Sequence, residues 1–383
     1  MLFNKEIEVR PMLRKDIEEK IDLLIDNLVN LKDPEGKYAI TLKDGRKIDN
    51  KSFNYWEWTS GIGLYGMMKY YKLTNKKEVL DVIIRWYDDQ FKNLPVEKNV
   101  NTMVQMLTLA YLYEETKNPV YLPYLEAWGD WLFHDMPRTK DGGIQHVVFG
   151  SENYQQLWDD TLMMSVIPLA KLGLLLDKPQ YIEEAKKQFL IHIKYLVDKK
   201  TGLWFHGWTF EGNHNFAGAL WGRGNSWITI AIPEFIDLVG LNENDAIRQV
   251  LLSTLNRQLD ALSEYQDKDG LWHTLLNDPT SYVETSCTAG FAYGILKSIR
   301  KRYVDKKFLN MGLNAVQAVL DNIDETGALH NVSAGTPMGD TLDFYKKIAV
   351  TTMPYGQSMA ILCLVEFLLY SINANEELPR LAY

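Results

Sequence analysis

Cysteine is scarce in this chain. Only two cysteines occur in 383 residues, Cys287 and Cys363, and both lie inside apolar, helix-like segments. Two isolated cysteines do not make the spaced framework of a disulfide-stabilised protein, so we predict two reduced thiols in the core. The chain also contains no HExxH, paired CxxC or Gly-Lys-Ser/Thr phosphate-loop sequence. Those motifs mark the common zinc and nucleotide sites, and without them we expect no metal and no cofactor.

Positive charge is also in short supply. Lys and Arg together number 41 against 50 Asp and Glu, which gives a net charge of -9. A nucleic-acid partner requires a basic face that neutralises phosphates, so this composition argues against nucleic acid. A small anionic substrate is still compatible with it, provided that local cations or helix N-termini receive the anion.

Long apolar runs are missing as well. The nearest approach to a membrane span, residues 359–372, is short and contains Glu366. The first eight residues carry no apolar stretch followed by small residues, so they do not resemble a secretory signal. We therefore expect a soluble, cytoplasmic protein with no membrane partner. The composition leaves the oligomeric state open.

Helical periodicity dominates what is present. Apolar residues recur at three- and four-residue spacing, as in Leu162, Val166 and Leu169, and no comparable set of alternating patterns predicts strands. The predicted helices cover residues 15–30, 58–71, 77–91, 101–116, 120–133, 160–176, 181–197, 225–239, 243–264, 283–299, 304–320 and 357–369.

These helices alternate in character. Every second helix is apolar all round and begins at a segment rich in Trp, Gly and polar residues, whereas the others are amphipathic and rich in Lys and Glu. Six hairpins of this kind predict an inner ring of helices inside an outer ring. The fold class is therefore all-α, an (α/α)6 barrel, with residues 1–383 forming one domain.

The segments that open the inner helices predict a shared rim, and we place the active site there. Four long loops on the same side, rich in Gly, Asp, His and aromatic residues, would build a pocket around it. The rim segments are residues 55–61, 99–102, 157–161, 221–227, 282–286 and 354–358.

Asp160 is the first candidate for chemistry. An isolated Asp at a helix start usually caps the helix, but this one lies among similar motif-bearing helix starts, which favours a function. Neighbouring residues of a helix do not face the same way, so Asp159 and Asp160 are not expected to form a catalytic pair. One of them would support the helix start while the other enters the pocket.

Arg223 lies between two tryptophans at the next rim segment. Its guanidinium matches a carboxylate bidentately, and the faces of Trp221 and Trp227 suit a sugar ring. An equally weighted alternative is a structural ion pair between Arg223 and an acid of the barrel. Two histidines of the inserted loops, His146 and His206, could position a hydroxyl, a carboxylate or water.

Taken together, these segments resemble a known family. The chain is similar to the unsaturated rhamnogalacturonyl hydrolases, family 105 of the glycoside hydrolases, and more distantly to the unsaturated glucuronyl hydrolases. The resemblance rests on four segments in the family's order: residues 160–164, 206–208, 221–227 and 284–286. It implies an (α/α)6 barrel that removes a 4,5-unsaturated uronic acid from the non-reducing end of lyase-generated oligosaccharides.

The resemblance also implies roles for individual residues. Asp160 falls on the family's general acid/base, and Arg223 falls on the wall that receives the uronyl ring. Asn101 falls near a position that is often a carboxylate in these relatives, and the amide leaves it a positioning role. The substrate-binding positions implied in this way are Tyr55, Asn101, His146, His206, Trp221, Arg223 and Trp227.

The implied mechanism needs only one carboxyl group. Asp160 would protonate C4 of the unsaturated ring and then, as carboxylate, activate the water that adds at C5. Two alternatives remain open: a conventional inverting glycosidase that uses Asp160 with Glu57 or Glu284, and a non-catalytic sugar-binding barrel in which Asp160 only caps a helix. The sequence leaves open which sugar lies next to the uronate.

Overall fold

The computed structural model describes residues 14–41, 45, 47–93 and 96–374, and these are mostly helical. Three short antiparallel sheets, which the periodicity did not predict, join loops to one another. The helices are α1 (Arg14–Asn30), α2 (Trp58–Thr74), α3 (Lys77–Phe91), α4 (Gln105–Thr116), α5 (Leu122–Asp130), α6 (Ile167–Leu175), α7 (Pro179–Leu196), α8 (Gly222–Val239), α9 (Ala246–Tyr265), α10 (Thr285–Arg300), α11 (Leu309–Asp321), α12 (Leu342–Lys346) and α13 (Pro354–Ala374). The strand pairs are β1 (Ala39–Thr41) with β2 (Lys47–Asp49), β3 (Gln156–Trp158) with β4 (Gly207–Thr209), and β5 (Trp272–His273) with β6 (Val283–Glu284).

Six helices follow one another in a closed cycle of contacts. α2 contacts α4, α4 contacts α6, α6 contacts α8, α8 contacts α10, α10 contacts α13, and α13 returns to α2. These helices are buried on nearly every side, as α8 and α10 show. The other long helices, α1, α3, α5, α7, α9 and α11, each contact a member of the cycle and bury only one stripe. The predicted alternation of all-round apolar and amphipathic helices is therefore what the structure contains.

Glycines set the close approach of α8 and α10. A Cβ atom added at Gly290 would lie 2.8 Å from Ser226 Cβ, and one added at Gly294 would lie 2.2 Å from the carbonyl oxygen of Thr229. The two glycines are four residues apart and therefore share one face of α10. Because a backbone carbonyl cannot move aside as a flexible side chain does, Gly294 fixes the separation of these two helices.

Helix α13 corrects the expectation that the chain has no apolar run of spanning length. The segment Pro354–Ile372 is long and apolar enough to cross a membrane, but 89% of it is buried inside the protein. Its Glu366 is fully buried and forms an ion pair of 2.5 Å with Arg300 of α10. Surrounded by α1, α2 and α10, α13 is the core helix that closes the cycle.

One inner segment begins with an irregular turn. The helix predicted from residue 160 starts with a π-helical turn, Leu162–Val166, in which Ile167 donates its N–H to the carbonyl of Leu162. Pro168 follows directly and has no N–H, so the regular bond from that position cannot form. π-Helical turns are frequent at functional sites, and this one follows the candidate acid by two residues.

Four loops that lead to inner helices share one turn. In each, a glycine with φ between 80° and 86° donates its N–H to a carbonyl three or four residues earlier. A histidine follows each glycine by three or four residues. The glycines are Gly142, Gly202, Gly270 and Gly327, and the histidines are His146, His206, His273 and His330. This repeated turn carries His146 and His206 to the rim.

The core forms one large cluster that includes residues of every helix except α12. Cys287 and Cys363 are buried free thiols, as predicted.

We predict that Gly294→Ala destabilises the protein by about 2 kcal/mol, because the new methyl group meets the Thr229 carbonyl and overpacking outweighs the gain in helix propensity. Gly312→Ala on α11 is the matched control, since its closest contact would be Ile295 Cγ2 at 2.9 Å, a side-chain atom that can move. Urea unfolding of both variants measures the difference. Equal losses of unfolding free energy in the two variants would show that the Thr229 carbonyl does not fix the separation of α8 and α10.

Candidate active site

A cavity of about 410 Å³ opens at the rim where the inner helices begin. Five of the six rim segments contribute to it, and the segment at residues 282–286 does not. The lining residues are Tyr38, Ile40, Ile48, Asn50, Tyr55, Glu57, Trp58, Asn101, His146, Val148, Phe149, Trp158, Asp160, Trp221, Arg223, Trp227, Ala334, Gly335, Thr336, Pro337 and Tyr355. Every predicted site residue except His206 lies on this surface.

Aromatic rings form a large part of the wall. Trp58 stacks on Tyr355 with ring centroids 4.6 Å apart, and Trp227 meets Trp58 edge-on at 6.0 Å. On the opposite side His146 stacks on Trp158 at 4.2 Å. Such plates suit the apolar faces of sugar rings, and they also remove water from the polar groups between them.

Asp160 faces the cavity, with 17% of its side chain exposed. Burial raises the pKa of its carboxyl to about 7, although the charge of Arg223 acts in the opposite direction. Oδ1 lies 3.4 Å from Nδ1 of His146, and it has no hydrogen-bond partner in the described part of the chain. That oxygen therefore caps no helix, and the carboxyl is held in a state that can release a proton near neutral pH.

Asp159 points elsewhere. It is fully buried, it does not line the cavity, and neither carboxyl oxygen meets a hydrogen-bond partner among the described residues. Burial, with a further contribution from the charge of Asp160, raises the pKa of Asp159 well above its usual range. Its Oδ2 lies so close to Gly224 that a Cβ there would be 2.0 Å away. As predicted, the two neighbouring acids have different surroundings.

Arg223 is buried, and both terminal nitrogens of its guanidinium donate to the protein, whereas Nε has no hydrogen-bond partner among the described residues. Nη1 donates to the carbonyl oxygen of Ser333 at 3.1 Å and to its Oγ at 2.5 Å, while Nη2 donates to Ala334 O at 3.2 Å and Thr336 Oγ1 at 3.1 Å. The side chain is sandwiched between Trp221 and Tyr355, at 4.8 and 4.7 Å. Arg223 thus lines the cavity as predicted, but its fork holds the loop at 333–336, and it is not free to take a carboxylate bidentately.

Glu284 completes this arrangement. Its Oε1 lies 3.5 Å from Nη1 of Arg223, which is the ion-pair alternative expected from the sequence. The carboxylate also accepts hydrogen bonds from the backbone N–H groups of Cys287 and Ser333 and from Ser286 Oγ. It lies outside the cavity lining, which disfavours the glycosidase alternative that pairs Asp160 with Glu284.

The two predicted histidines differ in position. His146 lines the cavity, and its Nδ1 lies 2.8 Å from Thr161 Oγ1. His206 is fully buried behind Trp221, at a ring distance of 4.2 Å, with Nδ1 2.7 Å from the hydroxyl of Tyr345. Burial lowers the pKa of His206 to about 3 and that of His146 well below its usual range, so both are neutral. His206 thus lies behind Trp221 and outside the cavity lining, and its predicted contact with the sugar stays a prediction.

Glu57 and Asn101 lie together in the cavity. Glu57 caps the N-terminus of α2, accepts the Trp58 N–H at 2.6 Å and is hydrogen-bonded by Asn101. Burial is the largest effect on this carboxyl and, with the charge of Asp160, raises the pKa of Glu57 to about 7. The sequence had offered Glu57 only as a less favoured second acid. The sequence feature that could have identified Glu57 is its position directly before an inner helix, because Asp160 occupies the same kind of position.

One wall of the cavity, which was not predicted, comes from four residues of the segment after α1. Tyr38, Ile40, Ile48 and Asn50 flank or belong to the β1–β2 ladder and reach the cavity from the segment after α1. Three-residue strands give too short an alternation to be recognised by period, and Ile40 is 41% exposed. Similarly, residues 334–337 come from the loop between α11 and α13.

Aromatic plates, a buried cation and two carboxyl groups of raised pKa, gathered at the helix starts around one cavity, define the site of a carbohydrate-processing enzyme. Comparison with known sequences agrees. The sequence pattern of Glycosyl Hydrolase Family 88 matches residues 30–370, and the chain belongs to this family of glycoside hydrolases.

Individual relatives are consistent with this assignment. The chain is 30% identical to the unsaturated rhamnogalacturonyl hydrolase YesR of Bacillus subtilis, over 82% of this chain and 90% of that protein. A crystal structure described as a possible member of the GH105 family, from Klebsiella pneumoniae, superposes with a TM-score of 0.92 at 54% identity, covering 94% of each chain. The unsaturated glucuronyl hydrolase of Bacillus sp. GL1 shares the fold, with a TM-score of 0.69 at 16% identity over 96% of this chain and 100% of that one.

We predict that Arg223→Lys lowers the free energy of unfolding by about 2 to 3 kcal/mol, because an ammonium cannot replace the four hydrogen bonds of the guanidinium. Thermal unfolding measures the loss. Arg248→Lys is the control, since Arg248 stacks on Tyr303 and donates one hydrogen bond, to Leu241 O. If Arg223→Lys is as stable as the parent and only KM for a uronide rises, the fork binds substrate directly.

Proposed function

We propose that this glycoside hydrolase releases a 4,5-unsaturated uronic acid from the non-reducing end of oligosaccharides, by hydration of the ring double bond with Asp160 as the proton donor. The observation that carries the proposal is the position of Asp160, a cavity-facing carboxyl whose pKa burial raises to about 7. The family and the unsaturated rhamnogalacturonyl hydrolase of B. subtilis support the substrate class.

The fold belongs to the same proposal. We take the closed cycle of α2, α4, α6, α8, α10 and α13 as the inner ring of an (α/α)6 barrel and the six helices outside it as the outer ring. In that arrangement every inner helix presents its N-terminus at the rim. The positive ends of the helix dipoles then add to the buried charge of Arg223 and favour an anionic sugar in the cavity.

The reaction follows from the alkene of the substrate. Protonated Asp160 gives its proton to C4, and positive charge develops on C5 and the ring oxygen. Water then adds at C5, and the resulting hemiketal opens and releases the neighbouring sugar. The aromatic walls keep other water away from this charge, while neutral His146 beside Asp160 adds no cation that would lower the pKa of the acid.

A second candidate reaction is favoured by one observation. Glu57 lies in the same cavity as Asp160, and two carboxyl groups around a glycosidic bond could act as acid and base of a conventional inverting glycosidase. Loss of the ultraviolet absorbance of an unsaturated disaccharide separates the reactions, because only hydration consumes the alkene. If the protein binds unsaturated and saturated oligosaccharides but cleaves neither, the third hypothesis, a non-catalytic sugar-binding protein, is favoured.

We predict that Asp160→Asn lowers kcat/KM on an unsaturated disaccharide by at least about 10² to 10⁴-fold with little change in thermal stability, because the amide cannot deliver a proton. Asp159→Asn, a change at the neighbouring buried acid, is the control and should retain most of the activity. The opposite ranking of the two variants would assign the chemistry to Asp159.

We also predict the position of the oxygen taken from water. In water enriched in ¹⁸O, hydration places the label at C5 of the uronic fragment, whereas direct displacement places it at C1. Mass spectrometry of the fragments distinguishes the two carbons. Label found only at C1 would replace the proposed reaction with the conventional glycosidase.

The pH profile provides a further check. Asp160 must be protonated to react, so kcat/KM is expected to fall as the pH rises through about 7. Stopped assays across the range, in parallel with circular dichroism to exclude unfolding, measure this limb. Activity that stays constant to pH 9 would exclude Asp160 as the acid.

A further inference from the structure

The second carboxyl of the cavity has no task in the reaction described above. Glu57 and Asp160 are the carboxyl-bearing residues among the described residues that line the cavity. The charge of Asp160 acts on Glu57, which places the two groups within electrostatic reach of each other. The carboxylate form of Asp160 therefore makes Glu57 easier to protonate.

Their surroundings give the two acids different roles. Glu57 stands at the positive end of the 17-residue helix α2, and its carboxylate accepts hydrogen bonds from the Trp58 N–H and from Asn101. These donors favour the ionised form. Oδ1 of Asp160 meets no such donor in the described segments. These donors therefore favour a carboxylate at Glu57, whereas at Asp160 burial favours the protonated acid against the opposing effects of Arg223 and of the backbone N–H groups of Asp160 and Thr161.

Other charges around the pair act against this order, because Arg223 lowers the pKa of Asp160 and Glu97, in the segment before α4, raises that of Glu57. Both pKa values lie at about 7, so near neutral pH a state with Glu57 ionised and Asp160 protonated is populated. His146 lies beside Asp160 but is neutral. Burial opposes ionisation of both acids, so a carboxylate at Glu57 is more basic than one in water and suits proton transfer near neutral pH.

We propose that Glu57 is a second catalytic carboxyl group: it accepts the proton of the water that adds at C5, and Asn101 is the positioning residue that holds it. This inference rests on the hydration reaction proposed above. As the oxygen of water bonds to C5, one of its O–H bonds breaks, that electron pair stays on oxygen, and the proton passes to Glu57. Asp160, which has lost its proton to C4, is left as carboxylate, and proton exchange between the two acids through solvent restores the starting state.

The first test is Glu57→Gln, assayed by loss of the alkene absorbance. Gln keeps an oxygen that can accept the Trp58 N–H, so α2 remains capped while the base is lost. We expect kcat/KM to fall about 10² to 10⁴-fold. Because Glu57 must be ionised and Asp160 protonated, the parent profile should be bell-shaped around pH 7, and the acidic limb should disappear in Glu57→Gln.

The second test restores the carboxylate from the neighbouring side chain. The double variant Glu57→Gln/Asn101→Asp places a carboxylate at position 101, whose side chain is hydrogen-bonded to Glu57 in the parent protein. We expect it to recover at least about tenfold of the lost activity and to regain an acidic limb, because a base is again present. A purely structural role of Glu57 would not be repaired by a charge at residue 101.

The matched control is Asp245→Asn. Asp245 is also an acidic N-cap, and it accepts the Ile247 N–H at 2.8 Å at the start of α9, away from the cavity. Its amide should lower stability slightly and leave both limbs of the profile in place. If Glu57→Gln keeps near-parental alkene consumption, or keeps its acidic limb, Asp160 serves as both acid and base and this inference fails while the hydration reaction stands. If the parent enzyme consumes no alkene, the proposed function itself fails.

Discussion

The buried guanidinium of Arg223 joins the parts of the protein that make the cavity. It rises from the first turn of α8, stacks on Tyr355 at the start of α13, pairs with Glu284 before α10 and holds the loop at 333–336 through four hydrogen bonds. A charge removed from water in this way is costly unless it is paired and hydrogen-bonded, and here both terminal nitrogens are bonded while Nε has no hydrogen-bond partner among the described residues. The loop that it holds is one wall of the cavity.

Two buried carboxyl groups of this protein, Glu234 and Asp160, have pKa values shifted in opposite directions. Glu234, in the middle of the inner helices, is also buried, and burial alone would raise its pKa. It is, however, bonded to Lys297 at 2.7 Å, to Lys69 at 3.1 Å and to Tyr65 and Tyr293, which lower the pKa of the carboxyl well below its usual range. At Asp160 burial outweighs the charge of Arg223 and the backbone hydrogen bonds, and the pKa of the carboxyl is raised. Glu234 therefore stabilises the helices, whereas Asp160 is ready to exchange a proton.

Much of this could be predicted because helical periodicity and helix starts are local properties. All twelve predicted helices are present, with ends displaced by a few residues. Five of the six rim segments meet around one cavity, because each lies at the start of a helix of the inner cycle, and this brings Asp160, Trp227 and Asn101 together. The four turns, each with a glycine at positive φ followed by a histidine, also form a pattern that is visible in the sequence. This pattern accounts for the positions of His146 and His206.

Contacts between residues distant in the chain determine which polar side chains of the site are buried and hydrogen-bonded, and the local sequence pattern does not contain this information. Whether the guanidinium of Arg223 was free or occupied depended on Ser333, 110 residues away, and the burial of His206 depended on Tyr345, 139 residues away. The wall from β1 and β2 and the pairing of Asn101 with Glu57 were likewise decided by packing. The sequence by itself determined the helices, their apolar faces and the residue types at the rim. Only the tertiary structure determined which of those polar groups were satisfied by the protein and which were left for a substrate, because hydrogen-bond partners and desolvation arise from residues distant in the chain.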